Sequence, residues 1–193
     1  MRQATLNRVT AETDISLSLN LDAQGGNVNS GVGFFDHMLA LFSKHSQFFL
    51  ALTAKGDLDV DAHHTVEDVG IALGQALDCA LGDRSGIARY GSMLLPMDEA
   101  LVEVALDLSG RPYFVFDGDV QSVLLGEYDA QLTEEFFRAL ATNARMTLHI
   151  RILSGRNAHH IAEAIYKGVA RALRAAAALD PTTQGIPSTK GVL

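Results

Sequence analysis

The chain contains itself twice. An adjacent histidine pair followed by a glutamate occurs as His63-His64-x-x-Glu67 and again as His159-His160-x-x-Glu163. Each pair stands in the same context: an aromatic and acidic stretch ("FFDHML", then "EEFF"), a strand-like run, and the pair itself at the head of a helical pattern. From His37 to His63 is 26 residues and from Glu135 to His159 is 24, a difference that one shortened loop absorbs. Self-similarity at a fixed interval restricts the fold more than any single segment can, because one half-domain has to pack against its own copy.

Each half reads as strands, a helix, a strand and a second helix. Ile15, Leu17, Leu19 and Leu21 alternate with Ser16, Ser18 and Asn20, the period of a half-buried strand. In the second half Met146, Leu148, Ile150 and Ile152 alternate with Thr147, His149 and Arg151, and this run is taken as the matching strand. Apolar stripes at helical spacing follow both pairs: Val66, Val69, Leu73, Ala76, Leu77, Ala80 and Leu81, then Ile161, Ile165, Val169 and Leu173. Strands and helices in this order, twice over, imply an α+β fold. No Pro/Gly/Ser linker interrupts the chain, so a single domain of two repeats, about 1–90 and 91–193, is expected.

Where the helices begin decides what the histidines can do. Asp61 and Asn157 fall two residues before the pairs, and both are good N-cap residues. The rival cap, Thr65 with Asp68, has no counterpart in the second copy, where Ile161 stands. From the earlier start, His63 and Glu67 are i, i+4 neighbours on one face, as are His159 and Glu163. His64 and His160 then project about 100° round the helix and must serve other ions. One subunit would struggle to close so many sites, so ligands crossing subunit boundaries in a symmetric homo-oligomer are expected. Imidazole and carboxylate donors suit Mn, Fe, Co or Zn, and the absence of thiolate removes the usual structural zinc site. His37, in "DHML", joins this set through its place before the first pair. His149 shares its strand face with Thr147 and Arg151 and is left out.

Charge and cysteine content narrow the setting. A net charge of −8 and a pI near 5.2 argue against a nucleic-acid partner. Any phosphate must therefore meet a local cluster of Arg and Lys. The single cysteine, Cys79, lies in an apolar helical run, so it is expected to be a small core residue in a reducing compartment. The N-terminus lacks the continuous apolar stretch of a signal peptide, and no run of eighteen apolar residues occurs, so a cytoplasmic protein with no membrane association is expected.

In order along the chain, "FFDHML", "HHTVED", "PMDEALVEVALDLSGRPY", "TLHIRILSGRNAHHIAEA" and "KGVARAL" resemble the successive signatures of the imidazoleglycerol-phosphate dehydratase family, covering nearly the whole sequence. The resemblance implies two similar halves, each a four-stranded sheet with two helices, the helices packed between the two sheets. It implies a lyase of histidine biosynthesis that converts imidazole glycerol phosphate to imidazole acetol phosphate, with two Mn2+ per subunit at the subunit contacts of a 24-subunit cage. The hydrogen lost in that reaction is not acidified by a carbonyl. A metal on the imidazole nitrogen favours the imidazolate, whose electrons can expel the adjacent hydroxyl, while a general base takes the proton. By family motif, Glu12 in "RVTAET" is the acid/base and a substrate contact, and the ligands His37, His64, Glu67, His160 and Glu163 belong to the catalytic centre. His45 in "SKH" matches a substrate contact. Arg89 in "IARYG", Arg111 in "SGRPY", Lys167 in "IYKG", and Ser188 and Lys190 in "IPSTKG" match residues around the substrate and its phosphate. Asp98 and Glu99 in "PMDEAL" are read as structural.

The chain departs from a familiar form of the family at Glu135, where "EEFF" replaces "EHFF" and the histidine is a metal ligand. Either Glu135 ligates in its place, giving an oxygen-rich shell that suits manganese over zinc, or it faces solvent at a helix start, where its charge is favourable anyway. Ligand chemistry alone also admits a two-metal hydrolase of a phosphorylated small molecule, or a non-catalytic metal-binding cage. The full run of signatures separates the first of these, and the set Arg89, Arg111 and Lys190 the second.

Overall fold

A computed structural model describes residues 1–193. In the first half, β1 (Gln3–Val9) and β2 (Thr13–Asn20) form a hairpin, followed by β3 (Val28–Asn29), α1 (Gly33–Ser46), β4 (Phe49–Gly56) and α2 (His63–Leu81). The second half repeats this order with β5 (Tyr90–Met97), β6 (Ala100–Asp107), β7 (Tyr113–Asp117), α3 (Leu132–Asn143), β10 (Thr147–Ser154) and α4 (Ala158–Ala177). A small hairpin of β8 (Leu124–Leu125) and β9 (Tyr128–Asp129) is inserted before α3. The sheets run β1-β2-β4-β3 and β5-β6-β10-β7. In each, the last strand is parallel to its neighbour and the other pairings are antiparallel.

This topology corrects one expectation. The counterpart of β2 is β6, while β10 matches β4. Periodicity could not rank them, because both inner strands of the second sheet bury alternate residues: Val102, Val104 and Leu106 in β6, Leu148 and Ile150 in β10.

The apolar face of each sheet is covered by helices of its own half, α2 on β1 and β2, and α4 on β5 and β6. The halves then lock through helix pairs, α1 on α4 and α2 on α3, which places the helices between the sheets around one core. Small residues allow this close approach. A Cβ on Gly74 of α2 would lie 2.7 Å from the Leu140 carbonyl oxygen of α3. Cys79 is not in this core: it is exposed, continuing the solvent stripe of Glu67 and Gln75 along α2. No helix is long and apolar enough to cross a membrane.

The tightest approach is in the second half, where a Cβ on Gly91 of β5 would stand 1.9 Å from the Ala172 carbonyl oxygen of α4. Backbone sits on both sides of that contact, so Gly91→Ala has to push helix and sheet apart. Overpacking of this kind costs about 1–3 kcal/mol, and thermal unfolding should show a correspondingly lower Tm.

Candidate metal and substrate site

Each histidine pair donates a backbone hydrogen bond to the side chain two residues before it. Asn157 is the N-cap of α4, its Oδ1 accepting from the His159 amide at 2.9 Å. Asp61 Oδ1 accepts from the His63 amide at 2.7 Å in the same way, but α2 starts one residue later than expected, with Ala62 and not Asp61 at its N-cap. Thr65 is buried inside α2 and caps nothing. Asp68 instead receives Arg8 Nε and Nη2 at 3.0 and 2.7 Å, together with the Thr13 hydroxyl, fastening the first hairpin to the helix that carries His64. Within each pair the rings diverge alike, with centroids 6.2 Å apart and planes crossing at 80° and 81°.

The one cluster of His, Cys, Asp and Glu side chains in the chain close enough to share an ion joins the two halves. His37 of α1 reaches across to His159 and Glu163 of α4, and the ligand atoms of all three lie within 4.8 Å of one another. His37 Nε2 is 3.3 Å and His159 Nε2 3.0 Å from Glu163 Oε1. Neighbouring ligands at metal bonds of about 2.1 Å stand about 3 Å apart in octahedral geometry, so these donors fit a divalent ion of the Mn, Fe, Co or Zn group. Burial by itself would raise the Glu163 carboxyl, but hydrogen bonds from Lys167, His159 and His37 outweigh it and hold the pKa at about 2. Glu163 is therefore an anion before any metal arrives.

The other expected ligands do not converge within one chain. His63 and Glu67 are exposed on α2, while Glu135, in the first turn of α3, has Arg138 Nε 3.7 Å away. His64 turns to the β4–α2 connection, its Nδ1 3.0 Å from Asp57 Oδ2, with Glu12 Oε2 of the first hairpin 3.8 Å away. The Asp57 hydrogen bond, ahead of a smaller opposing effect of burial, raises the His64 pKa. His160 turns to the second hairpin, its Nδ1 2.7 Å from Glu99 Oε2. That contact, with the Asn157 and Arg156 amides, pulls the Glu99 carboxyl down to about 2.

Four of the expected substrate residues share one cleft. Arg89, Arg111, Ser188 and Lys190 line it, with Tyr90, Pro187 and Thr189. Arg89 is already committed in part, since Nε and Nη2 bind Asp107 at 2.7 and 3.0 Å, and Nη1 donates to the Pro187 carbonyl at 2.7 Å, pinning the C-terminal tail. Lys167 lies elsewhere: its Nζ donates to Glu163 Oε2 and stands 3.6 Å from Met97 Sδ, so it faces the carboxylate ligand. His45, near the end of α1, is also outside the cleft. Burial, then the charges of Arg171 and Lys167, lower its pKa. Sequence reasoning missed Asp57 altogether and read Glu99 only as structural. The available signal was the acid at each hairpin tip, Glu12 and Glu99, immediately before β2 and β6.

Fold and site together define a duplicated α+β protein with an imidazole–carboxylate centre assembled at the junction of its halves. A family model described as imidazoleglycerol-phosphate dehydratase matches residues 30–173, and the chain belongs to that family. It is 58% identical to an imidazoleglycerol-phosphate dehydratase of Acetivibrio thermocellus and 57% identical to one of Streptococcus mutans, covering 100% of this chain and 99% and 100% of those proteins. Among solved structures, the dehydratase of Staphylococcus aureus superposes with a TM-score of 0.82 at 42% identity, over 90% of this chain and 97% of that one. The Pyrococcus furiosus enzyme, solved in complex with (S)-C348, gives 0.84 at 39% identity, over 97% and 100%.

Glu163 also sets a pH dependence. Its folded pKa of about 2 lies below the ordinary 4.5, so its contribution to stability is complete above 4.5 and is lost as pH falls toward about 2. In metal-free protein, the stability gap between wild type and Glu163→Gln should close over that window. Denaturant unfolding at a series of pH values measures it.

Proposed function

We propose that this chain removes water from imidazole glycerol phosphate to give imidazole acetol phosphate in histidine biosynthesis, using two Mn2+ per subunit. Its setting is a cytoplasmic homo-oligomer, a 24-subunit cage with metals at the subunit contacts. The convergence of His37, His159 and Glu163 from opposite halves carries the metal-dependent part of this reading. His63, Glu67 and Glu135, all accessible on α2 and α3, are assigned to the second ion. His64 and His160, turned away from the glutamates of their own motifs, are assigned to sites completed by neighbouring subunits.

A bound divalent ion would polarise the substrate's imidazole and favour its deprotonated form. The protein's own groups do the rest. Arg111, Ser188 and Lys190, with Arg89 holding the tail in place, grip the phosphate. Lys167 and His45 complete the substrate's surroundings from α4 and α1. Glu12, exposed at a hairpin tip beside His64, takes the proton from carbon and delivers one to the departing hydroxyl. The cationic cleft also distinguishes this reading from a metal-storage cage, which has no use for one.

Incubation of purified protein with imidazole glycerol phosphate and Mn2+ should yield the ketone; a folded, metal-loaded protein that forms none would overturn the assignment. Arg111→Ala or Lys190→Ala should raise KM ten- to a hundredfold, in line with about 1.5–3 kcal/mol for a charge-assisted contact, while elemental analysis finds Mn2+ unchanged.

Ligands shared between subunits couple metal binding to association. Complete chelation should therefore shrink the particle on size-exclusion chromatography as well as stop turnover.

A further inference from the structure

The two histidines that turn aside are each held at Nδ1 by a carboxylate, but the carboxylates come from different places. His64 is held by Asp57, in the connection between β4 and α2, and Glu12 at the β1–β2 tip stays 3.8 Å away. His160 is held by Glu99 at the β5–β6 tip, with Asp98 Oδ2 3.6 Å from its Nε2. Glu99 is the positional counterpart of Glu12, since each stands one residue before the second strand of its hairpin. The halves differ in the connection from strand to helix. Asp57 to Ala62 precede the first pair, whereas only Gly155, Arg156, Asn157 and Ala158 precede the second, and those four include no carboxylate. With the local acid gone, the tip glutamate is the group that reaches His160.

We propose that the two tip glutamates have divided their labour: Glu99 is a positioning residue that fixes His160 through Nδ1, Asp57 does this for His64, and Glu12 is thereby left free to carry the proton. This rests on the reading of His64 and His160 as metal ligands. A neutral imidazole carries one N–H; a carboxylate at Nδ1 keeps the proton there, orients the ring and leaves the Nε2 lone pair for an ion. Glu99 is itself held rigid. Its other oxygen accepts the Arg156 and Asn157 amides at 3.1 and 2.8 Å, tying the hairpin tip to the start of α4. Glu12 has no such contact: among basic side chains only His64, at 3.8 Å, comes within ion-pair distance of its carboxylate.

The test titrates metal-stripped full-length protein with Mn2+ and counts free ion by electron paramagnetic resonance. Four comparisons with wild type matter: His160→Ala, Glu99→Ala, Glu99→Gln and the double variant Glu99→Ala/His160→Ala. His160→Ala should weaken or remove one class of site. Glu99→Ala should weaken the same class about 10–100-fold, the usual effect of losing a ligand's outer partner. Glu99→Gln, which keeps one acceptor oxygen and so can serve either Nδ1 or the two amides but not both, should fall between Glu99→Ala and wild type. The double variant should bind no more weakly than His160→Ala alone, and Glu12→Ala should leave Mn2+ affinity unchanged. Should Glu99→Ala keep full affinity while His160→Ala loses it, the positioning role is wrong and the ligand reading stands. Equal losses from Glu99→Ala with and without His160 would make Glu99 a structural residue only. Unchanged binding in His160→Ala would overturn the ligand reading and this proposal together, and weakened binding in Glu12→Ala would overturn the division between the tips.

Discussion

A charged group taken out of water has to find its partners inside the protein, and the architecture turns on where three such groups find theirs. Asp68, Arg84 and Glu163 are the buried charged side chains of this chain. Each has a partner distant in sequence, although the buried Nε of Arg84 is left without one. Asp68 binds Arg8 and Thr13 of the first hairpin. Arg84 binds Asp78 and the Ala144 carbonyl at the end of α3. Glu163 draws on His37 from the other half as well as on His159 and Lys167. Breaking one partner of such a group strands a charge in a poor solvent, so these contacts fix relative positions more firmly than apolar packing alone does.

The consequence for the site is that little of it rests on flexible chain. His37 and Glu163 sit on helices whose faces are buried against each other, and Glu12 is carried by a hairpin that Asp68 fastens to α2. The cleft at the C-terminal tail is built otherwise. There Arg89 spends most of its donors on Asp107 and the Pro187 carbonyl, so the charge offered to an anion comes chiefly from Arg111 and Lys190. A local cationic surface on a chain of net charge −8 is what phosphate selectivity without nucleic-acid affinity requires.

The duplication, the α+β order and, to within one residue, the helix starts at the histidine pairs were legible in the sequence, because repeated motifs and Asp/Asn side chains ahead of a helix are local signals, although Asp61 stands one residue outside the cap it was expected to form. Strand equivalence was not. Two inner strands with the same alternation differ only in their neighbours, and pairing is a long-range property. Cys79 misled for a related reason: one polar stripe on a helix is visible only when Glu67, Gln75 and Cys79 are counted together. The grouping of His37 with His159 and Glu163 could be suspected from residue types, but it depends on α1 docking on α4, which no periodicity reports. Lys167 was placed beside a phosphate by motif and faces Glu163 in the fold, one helical turn away on α4.

The crossed docking of the halves, α1 on α4 and α2 on α3, has the form of a two-fold axis passing through a single chain. Two separate half-length chains pairing through the same helices would give an isologous dimer, in which every residue appears twice and both centres are bound to be identical. No substitution in such a dimer could suit one centre without being imposed on the other. Joining the halves in one polypeptide lifts that bond: a connection two residues longer on one side, and a glutamate in place of histidine at position 135 beside His37 in the other copy, are changes available only to a pair whose members are no longer obliged to match.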